Sequence, residues 1–396
     1  MKKVFVIVTS LLIFVSFLAL WQYFFCPVYR YPAPEPFKGK LLYNPYKEMQ
    51  PGNWFKGNFH VHTRSWGGIT DGRKNSSEKI DSIYTFLDYD IIGISDYQKI
   101  NTFLSRSSSY IPEYEHGYNL MKNHHIVLNP NSITWYDYLL PQTLDNEQDM
   151  LFKIRKNGCS LLAMAHPSLR NAVHLNDMKY LSGYDLIEAL NANQLSLEYW
   201  DEALSSGHKV FILSDDDAHD VNNDKQFARC MTLINCKENT PSNVLSAMGQ
   251  GCHIGFLLYR RDDDRLNERK SVVANLTELL KFDLHQDSIS IALSKEALRF
   301  RFIGQNGKML SESFGSSTGA YQVKAGDTYV RTEILLADSS VMYLNPVFRY
   351  ESNNTIDRLS IVDVSKTWLM RLFGAILVVL IIYIRKMFNK RFAKNG

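Results

Sequence analysis

The stretch "KVFILSDDDAHD", Lys209 to Asp220, runs a short apolar segment directly into four aspartates and a histidine. Like charges that close destabilise one another unless positive charge sits among them. A solvated loop is one resolution and a bound cation is the other. The choice depends on what the neighbouring strands place beside His219.

Between residues 54 and 262 the chain alternates short apolar runs with longer stretches of helical spacing, the pattern of β/α units. The apolar runs are "NFHVH", "DIIGIS", "HHIVLN", "CSLLAMAH", "DLIEALN", "KVFILSD" and "MTLIN". Between them, "SSEKIDSIYTFL", "NEQDMLFKIRKNG" and "LEYWDEALSSG" read as helices, the last two stopped by Gly158 and Gly207. Chemistry-bearing residues collect at the ends of the runs. "GNFHVHT" carries His60 and His62, "DIIGISD" ends at Asp96, "HHIVL" begins with His124 and His125, and Glu115 lies just before it. "LLAMAH" ends at His166 and the opening stretch at Asp217 and His219. In an α/β barrel such ends converge on one mouth. His60 and His62, two apart on a strand, share a face and suit one metal. Aspartates crowded at 215–217 need cations, and neutral imidazoles supply none, so a polynuclear metal site is the expected resolution.

The motifs "HVHT", "TDG" at 70–72, "IIGISD" at 91–96, "AHP" at 165–167 and "SDDDAH" at 214–219 together resemble the PHP (polymerase and histidinol phosphatase) superfamily of metal-dependent phosphoesterases, over roughly residues 56–260. The resemblance implies a distorted seven-stranded β/α barrel, (β/α)7, holding two or three divalent ions (zinc, manganese or iron). By motif, His60, His62, Glu115 and Asp217 hold a first metal, Asp71 and His219 belong to a second, and Glu115 bridges to a third completed by His125 and His166. His124 rivals His125, since "NHHIVL" aligns in either register. Asp217 and His219 are the catalytic candidates. Arg170 in "AHPSLR" is the candidate phosphate contact. One departure stands out: where the family's second motif carries a metal-ligating histidine, this chain has Tyr97. Asp215 and Asp216 are read as solvated. The implied reaction is attack of metal-activated water on phosphorus, with a small phosphorylated molecule as substrate. A metal-containing binding module, or hydrolysis of a non-phosphate substrate, is the rival reading. The loop 101–123, with Tyr110, Tyr114 and Tyr118, would set the substrate.

Outside this region the texture changes. Residues 4–25 carry no charge and suffice to cross about 30 Å of hydrocarbon, while 368–384 form a second, shorter apolar segment. Basic residues flank the outer side of both, so both termini are expected in the cytoplasm and the rest beyond the cytoplasmic membrane. Eight Lys and Arg lie in or beside these two segments, so with a total of +3 the remainder carries −5. That mildly acidic body argues against nucleic acid as a partner. Residues 26–53 are proline-rich and read as an extended linker. Residues 263–363, with short alternating strands such as "ALRFRFIG" and "TYVRTEILLA", read as a small β-sandwich-like domain. The five cysteines show no metal-binding spacing, and are read as buried thiols or one bridge.

Overall fold

The computed structural model describes residues 2–69, 72, 74–223, 225–260, 265–351 and 359–394. Two long apolar helices bracket the chain, α1 (Lys2–Phe25) and α7 (Val364–Lys394). Both are long and apolar enough to cross a membrane, over Ile7–Phe25 and Val364–Ile384. They pack against each other where Gly374 meets Phe24: a Cβ on the glycine would lie 2.8 Å from the Phe24 Cβ. A small residue permits this close approach of two apolar helices. Arg371 donates to the Phe25 carbonyl at 3.3 Å, satisfying an end-of-helix acceptor.

The segment after α1 is not a free linker. Its strands β1 (Tyr29–Arg30) and β2 (Leu41–Tyr43) are both paired, and Cys26, Tyr29, Phe37 and Tyr46 are buried. Tyr29 donates from its backbone to Asp145 and from its hydroxyl to Asp149. The prolines keep this chain extended, but the aromatic residues between them seek apolar surface and dock it.

The central region continues with β3 (Trp54–Asn58), α2 (Ser77–Phe86), β4 (Ile91–Ile92), β5 (Glu113–His116) and β6 (His124–Pro130). Then follow α3 (Leu144–Asn157), β7 (Cys159–Ala165), β8 (Leu186–Asn191), α4 (Leu197–Ser205) and β9 (Phe211–Asp215). Helix α3 carries a Thr143–Asn146 capping box and stops at Gly158, whose φ of 86° favours glycine. Strands β5 to β9 form a five-stranded sheet in sequential order. Its β7, β8 and β9 are parallel, whereas β5, β6 and β7 are antiparallel. No helix separates β5 from β6, and the short turn between them allows only antiparallel pairing.

Last come β10 (Cys230–Asn235), α5 (Pro241–Gln250), β11 (His253–Leu257), α6 (Leu266–Ala274), β12 (Leu279–His285), β13 (Ser288–Gly304), β14 (Lys308–Gln322), β15 (Tyr329–Leu336), β16 (Val341–Tyr350) and β17 (Ile361–Val362). A ten-stranded sheet runs β12-β13-β15-β16-β11-β10-β3-β4, with β14 beside β13 and β2 beside β16. The expected sandwich of its own is therefore replaced by one continuous sheet: β16 pairs directly with β11 from Ile254↔Leu344 to Leu257↔Val341. The alternating burial of β13 and β15 is right for strands, but through β16 they extend the existing sheet. Strand β17 pairs with β1, bringing the exits of α1 and α7 together.

Isolated bridges tie both edges of the five-stranded sheet to the end of the ten-stranded one. Val61 beyond β3 meets Ala218 beyond β9, and Tyr97 beyond β4 meets Glu115 on β5. The five cysteines are free thiols.

Candidate metal centre

The ends of β3, β5, β6, β7 and β9 converge on one buried cluster. His60 and His62 follow β3, and alternation puts both on the same face. Their Nε2 atoms are 3.1 Å apart. Glu115 Oε2 lies 3.4 Å from His60 Nε2 and 3.1 Å from His62 Nε2. Asp217 Oδ1 lies 3.2 and 3.3 Å from the same two nitrogens. Yet neither Glu115 Oε2 nor Asp217 Oδ1 makes a hydrogen bond among the described residues, although both are buried. Buried carboxylate oxygens without partners are expensive. A tetrahedron with bonds of about 2.0–2.1 Å has edges of about 3.3 Å. These five separations match that figure, and His60, His62 and Asp217 together satisfy the spacing of a metal-holding triad, with Glu115 Oε2 beside both imidazoles.

The other oxygen of Glu115 serves a second group. Its Oε1 is 2.6 Å from His124 Nδ1 and 3.3 Å from His166 Nε2. His60, Glu115 and His166 also satisfy the spacing of a metal-holding triad, as do His60, His62 and Asp217. His219 reaches Asp217 Oδ1 through Nε2 at 3.2 Å and stacks its ring on His62 at 4.6 Å.

His125 is not brought to the cluster; His124 is. The register pairs His116 with His125 and Glu115 with Ile126, so Glu115 and His124 share one face and His125 takes the other. There His125 packs against His116, their ring centroids 5.7 Å apart. Arg170 sits exposed in a short turn with φ of 54°, and its side chain makes no ion pair or hydrogen bond with described residues. Asp71 lies outside the described residues. Tyr97 stacks flat on His62 at 4.5 Å and meets His124 edge-on at 5.2 Å.

Asp215 and Asp216 are buried, not solvated. Asp216 accepts from the backbone of Ala228, Arg229 and Cys230 and from the Tyr84 hydroxyl, fixing the approach to β10. Asp215 accepts from the Phe59 amide at 2.7 Å. Asp96 is likewise occupied, accepting from the amide and hydroxyl of Thr63 and from Asn101. Only the third acid of the run, Asp217, turns into the cluster. Its φ of 49°, like the 29° of His166, is a strained conformation for these residues, and both sit where a strand ends at the site.

Sequence reasoning missed Glu188, in the middle of β8 and fully buried. Its Oε1 meets His60 Nδ1 at 2.8 Å, and its Oε2 accepts from the His166 amide at 2.8 Å and from Asn191 at 3.1 Å. Asn191 also donates to Asp217 Oδ2 at 3.2 Å. The one signal in the sequence was an acid inside an otherwise apolar run, "DLIEALN".

The electrostatics follow from this crowding. Burial alone would lower the His62 pKa, but the carboxylates of Asp217 and Glu115 beside it push it up to about 9. His60, buried among Asp217, Glu188 and Glu115, is also raised. Burial would raise the two acids, but His124 and His60 hold Glu115, and His60 and His219 hold Asp217, well below the usual carboxylate range. Without a metal, protons on the imidazoles supply the positive charge that these acids require.

No protein-family model matches the sequence, and no curated protein does. A crystal structure of a two-domain protein from Bacteroides vulgatus ATCC 8482, containing a predicted PHP-like metal-dependent phosphoesterase, aligns with a TM-score of 0.37 and 14% identity. The alignment covers 78% of this chain and 100% of that one. A score that low decides neither fold nor function.

Proposed function

We propose that this chain is a membrane-held, metal-dependent phosphoesterase of PHP type, hydrolysing a small phosphorylated substrate. The observation that carries the reading is the buried cluster of His60, His62, Glu115 and Asp217, in which the two imidazole nitrogens lie 3.1 Å apart and 3.1–3.4 Å from two carboxylate oxygens that make no hydrogen bond among the described residues. The bridges Val61–Ala218 and Tyr97–Glu115 support a ring of the seven strands β3 to β9, the barrel that the motifs imply.

In this reading His60, His62, Glu115 and Asp217 would hold one ion, and Glu115 with His124 and His166 would hold another. A nitrogen and carboxylate donor set suits zinc, manganese or iron. Bound there, a divalent ion would supply an activated water and neutralise charge on phosphoryl oxygens. The chain's own residues prepare for that chemistry. Glu188 accepts the His60 Nδ1 proton and so aims the Nε2 lone pair at the cluster. Asn191 holds Glu188 and Asp217 in register. His219, with its side chain 25% exposed, stands between Asp217 and solvent and can carry a proton at Nε2. Both termini are assigned to the cytoplasmic side and the body to the far side, on the basic residues flanking the two apolar helices.

The test uses the purified full chain in detergent with added Mn²⁺ or Zn²⁺ and a soluble phosphomonoester. Turnover is expected, to be abolished by chelator and by His60→Ala with His62→Ala. Activity that survives both treatments would place the chemistry elsewhere.

A further inference from the structure

A cleft of about 480 Å³ opens over Tyr97 and His124, with walls of Trp66, Ile69, Tyr118 and Trp135. Its floor thus belongs to the candidate metal centre, while its walls are apolar and outward-facing. Ile69 is 85% exposed, Trp135 57% and Trp66 46%. Two more exposed apolar residues, Leu120 and Leu139, extend this surface beside the cleft, joined by a backbone hydrogen bond from Leu120 to Leu139 at 3.1 Å. Burying such side chains is favourable, so a cluster of them facing water is costly. Exposed apolar surface gathered at one place marks an interaction site.

Its position identifies what covers it. The segment carrying Trp135 and Leu139 is fastened to the last turn of α1. Gln22 donates to the Asp137 carbonyl at 2.9 Å, and the Tyr23 ring packs on Tyr138 with centroids 5.5 Å apart. Asp137 also accepts from the Tyr118 amide, and the Tyr118 hydroxyl bonds the Trp135 carbonyl at 2.8 Å. Gln22 and Tyr23 lie in the apolar span Ile7–Phe25, at the end nearest the body. The rim of the cleft therefore stands level with the end of a membrane helix. Trp and Tyr favour that depth, with one face apolar and one end wet. Lys122 also lines the cleft, its Nζ 5.5 Å from the Tyr97 ring centre, where it can meet an anion.

Resting on the phosphoesterase reading, we infer that the cleft takes its substrate from the bilayer: the phosphate ester of an apolar chain, its head at the metal centre and its tail still in lipid. In the reaction, water oxygen bonds to phosphorus and the ester P–O bond breaks. A proton from the water passes to the departing lipid oxygen, leaving an alcohol in the bilayer and inorganic phosphate in water. Leu120 and Leu139 do not line the cleft; they seat the rim in the membrane.

The experiment reconstitutes the full chain in phosphatidylcholine vesicles and compares two probes, dioleoyl phosphatidic acid in the same vesicles and soluble p-nitrophenyl phosphate. Phosphatidic acid is expected to be the better substrate. Leu120→Gln with Leu139→Gln should lower its turnover about tenfold or more, while turnover of the soluble ester stays within about twofold. Wild-type metal content in that variant shows that the centre is intact. Hydrolysis of the soluble ester alone overturns the lipid inference and leaves the phosphoesterase reading standing, whereas hydrolysis of neither overturns both. A variant that slows both probes equally, or neither, also overturns the role given to the rim.

Discussion

Glu188 sits in an apolar strand with no exposure, yet it touches His60, His166 and Asn191. A buried acid in that position earns its place by orienting ligands, and partners of this kind are worth about 10–100-fold in metal affinity. Glu188→Ala is expected to weaken metal binding by about that factor, measured by competition with a chromophoric chelator. Glu188→Gln should lose less, because the amide oxygen can still accept from His60 Nδ1. Equal affinity in Glu188→Ala and wild type would remove the orienting role. At this scale the sequence was readable where residue type and spacing determine the face. The pair His60 and His62, and the endings at His166 and Asp217, fall together in the fold as alternation requires. It was unreadable where one residue of register decides, as between His124 and His125. The fates of Asp215 and Asp216 were hidden for another reason. Whether an acid is solvated or meets three backbone amides depends on residues 228–230, which local pattern does not place beside it.

Among the elements, the long strands after residue 278 were visible as strands but not as an extension of the central sheet. Alternation reports a buried face, not which edge a strand joins. The join is reinforced on the β15 side by Arg331, nearly buried, whose guanidinium forks onto Asp201 of α4 with both contacts at 2.7 Å and also reaches Glu333 at 2.6 Å. Removing one partner of a buried pair costs about 3–5 kcal/mol, because the other charge stays buried and unpaired. Arg331→Met is therefore expected to lower the stability of the whole chain by about that amount in denaturant unfolding, with a single transition. Arg331→Met combined with Asp201→Leu should recover part of the loss, since no orphaned acid then remains in α4. Two separate transitions, with only one shifted, would show that the β-extension unfolds independently. The segment 26–53 teaches the same lesson from the other side. Its prolines announced extended chain, but its tyrosines and Phe37 carry the docking, with Phe37 and Tyr43 stacked on Phe348 at 4.6 and 4.7 Å.

For the whole molecule, the candidate centre couples metal, protons and stability. In the metal-free protein the buried Glu115 and Asp217 are balanced by protonated imidazoles, and His62 is held up at about 9 against about 6.5 in an unfolded chain. A group raised on folding stabilises fully below its unfolded pKa, and that contribution fades as pH climbs through the folded value. For His62 the window runs from about pH 6.5 to about pH 9 and holds about 3 kcal/mol. His60, also raised, acts in the same direction. A bound divalent ion replaces those protons and supplies the charge at any pH in the window. Metal binding should therefore release protons, and tighten as pH rises. The thermal midpoint of chelator-treated protein is accordingly expected to fall between pH 6.5 and pH 9, while that of metal-loaded protein holds nearly level, so the gap between them widens. Differential scanning fluorimetry at pH 6, 7.5 and 9, with and without chelator, measures it directly. A gap that stays constant or narrows with rising pH would show that protons and metal do not compete for the same buried acids.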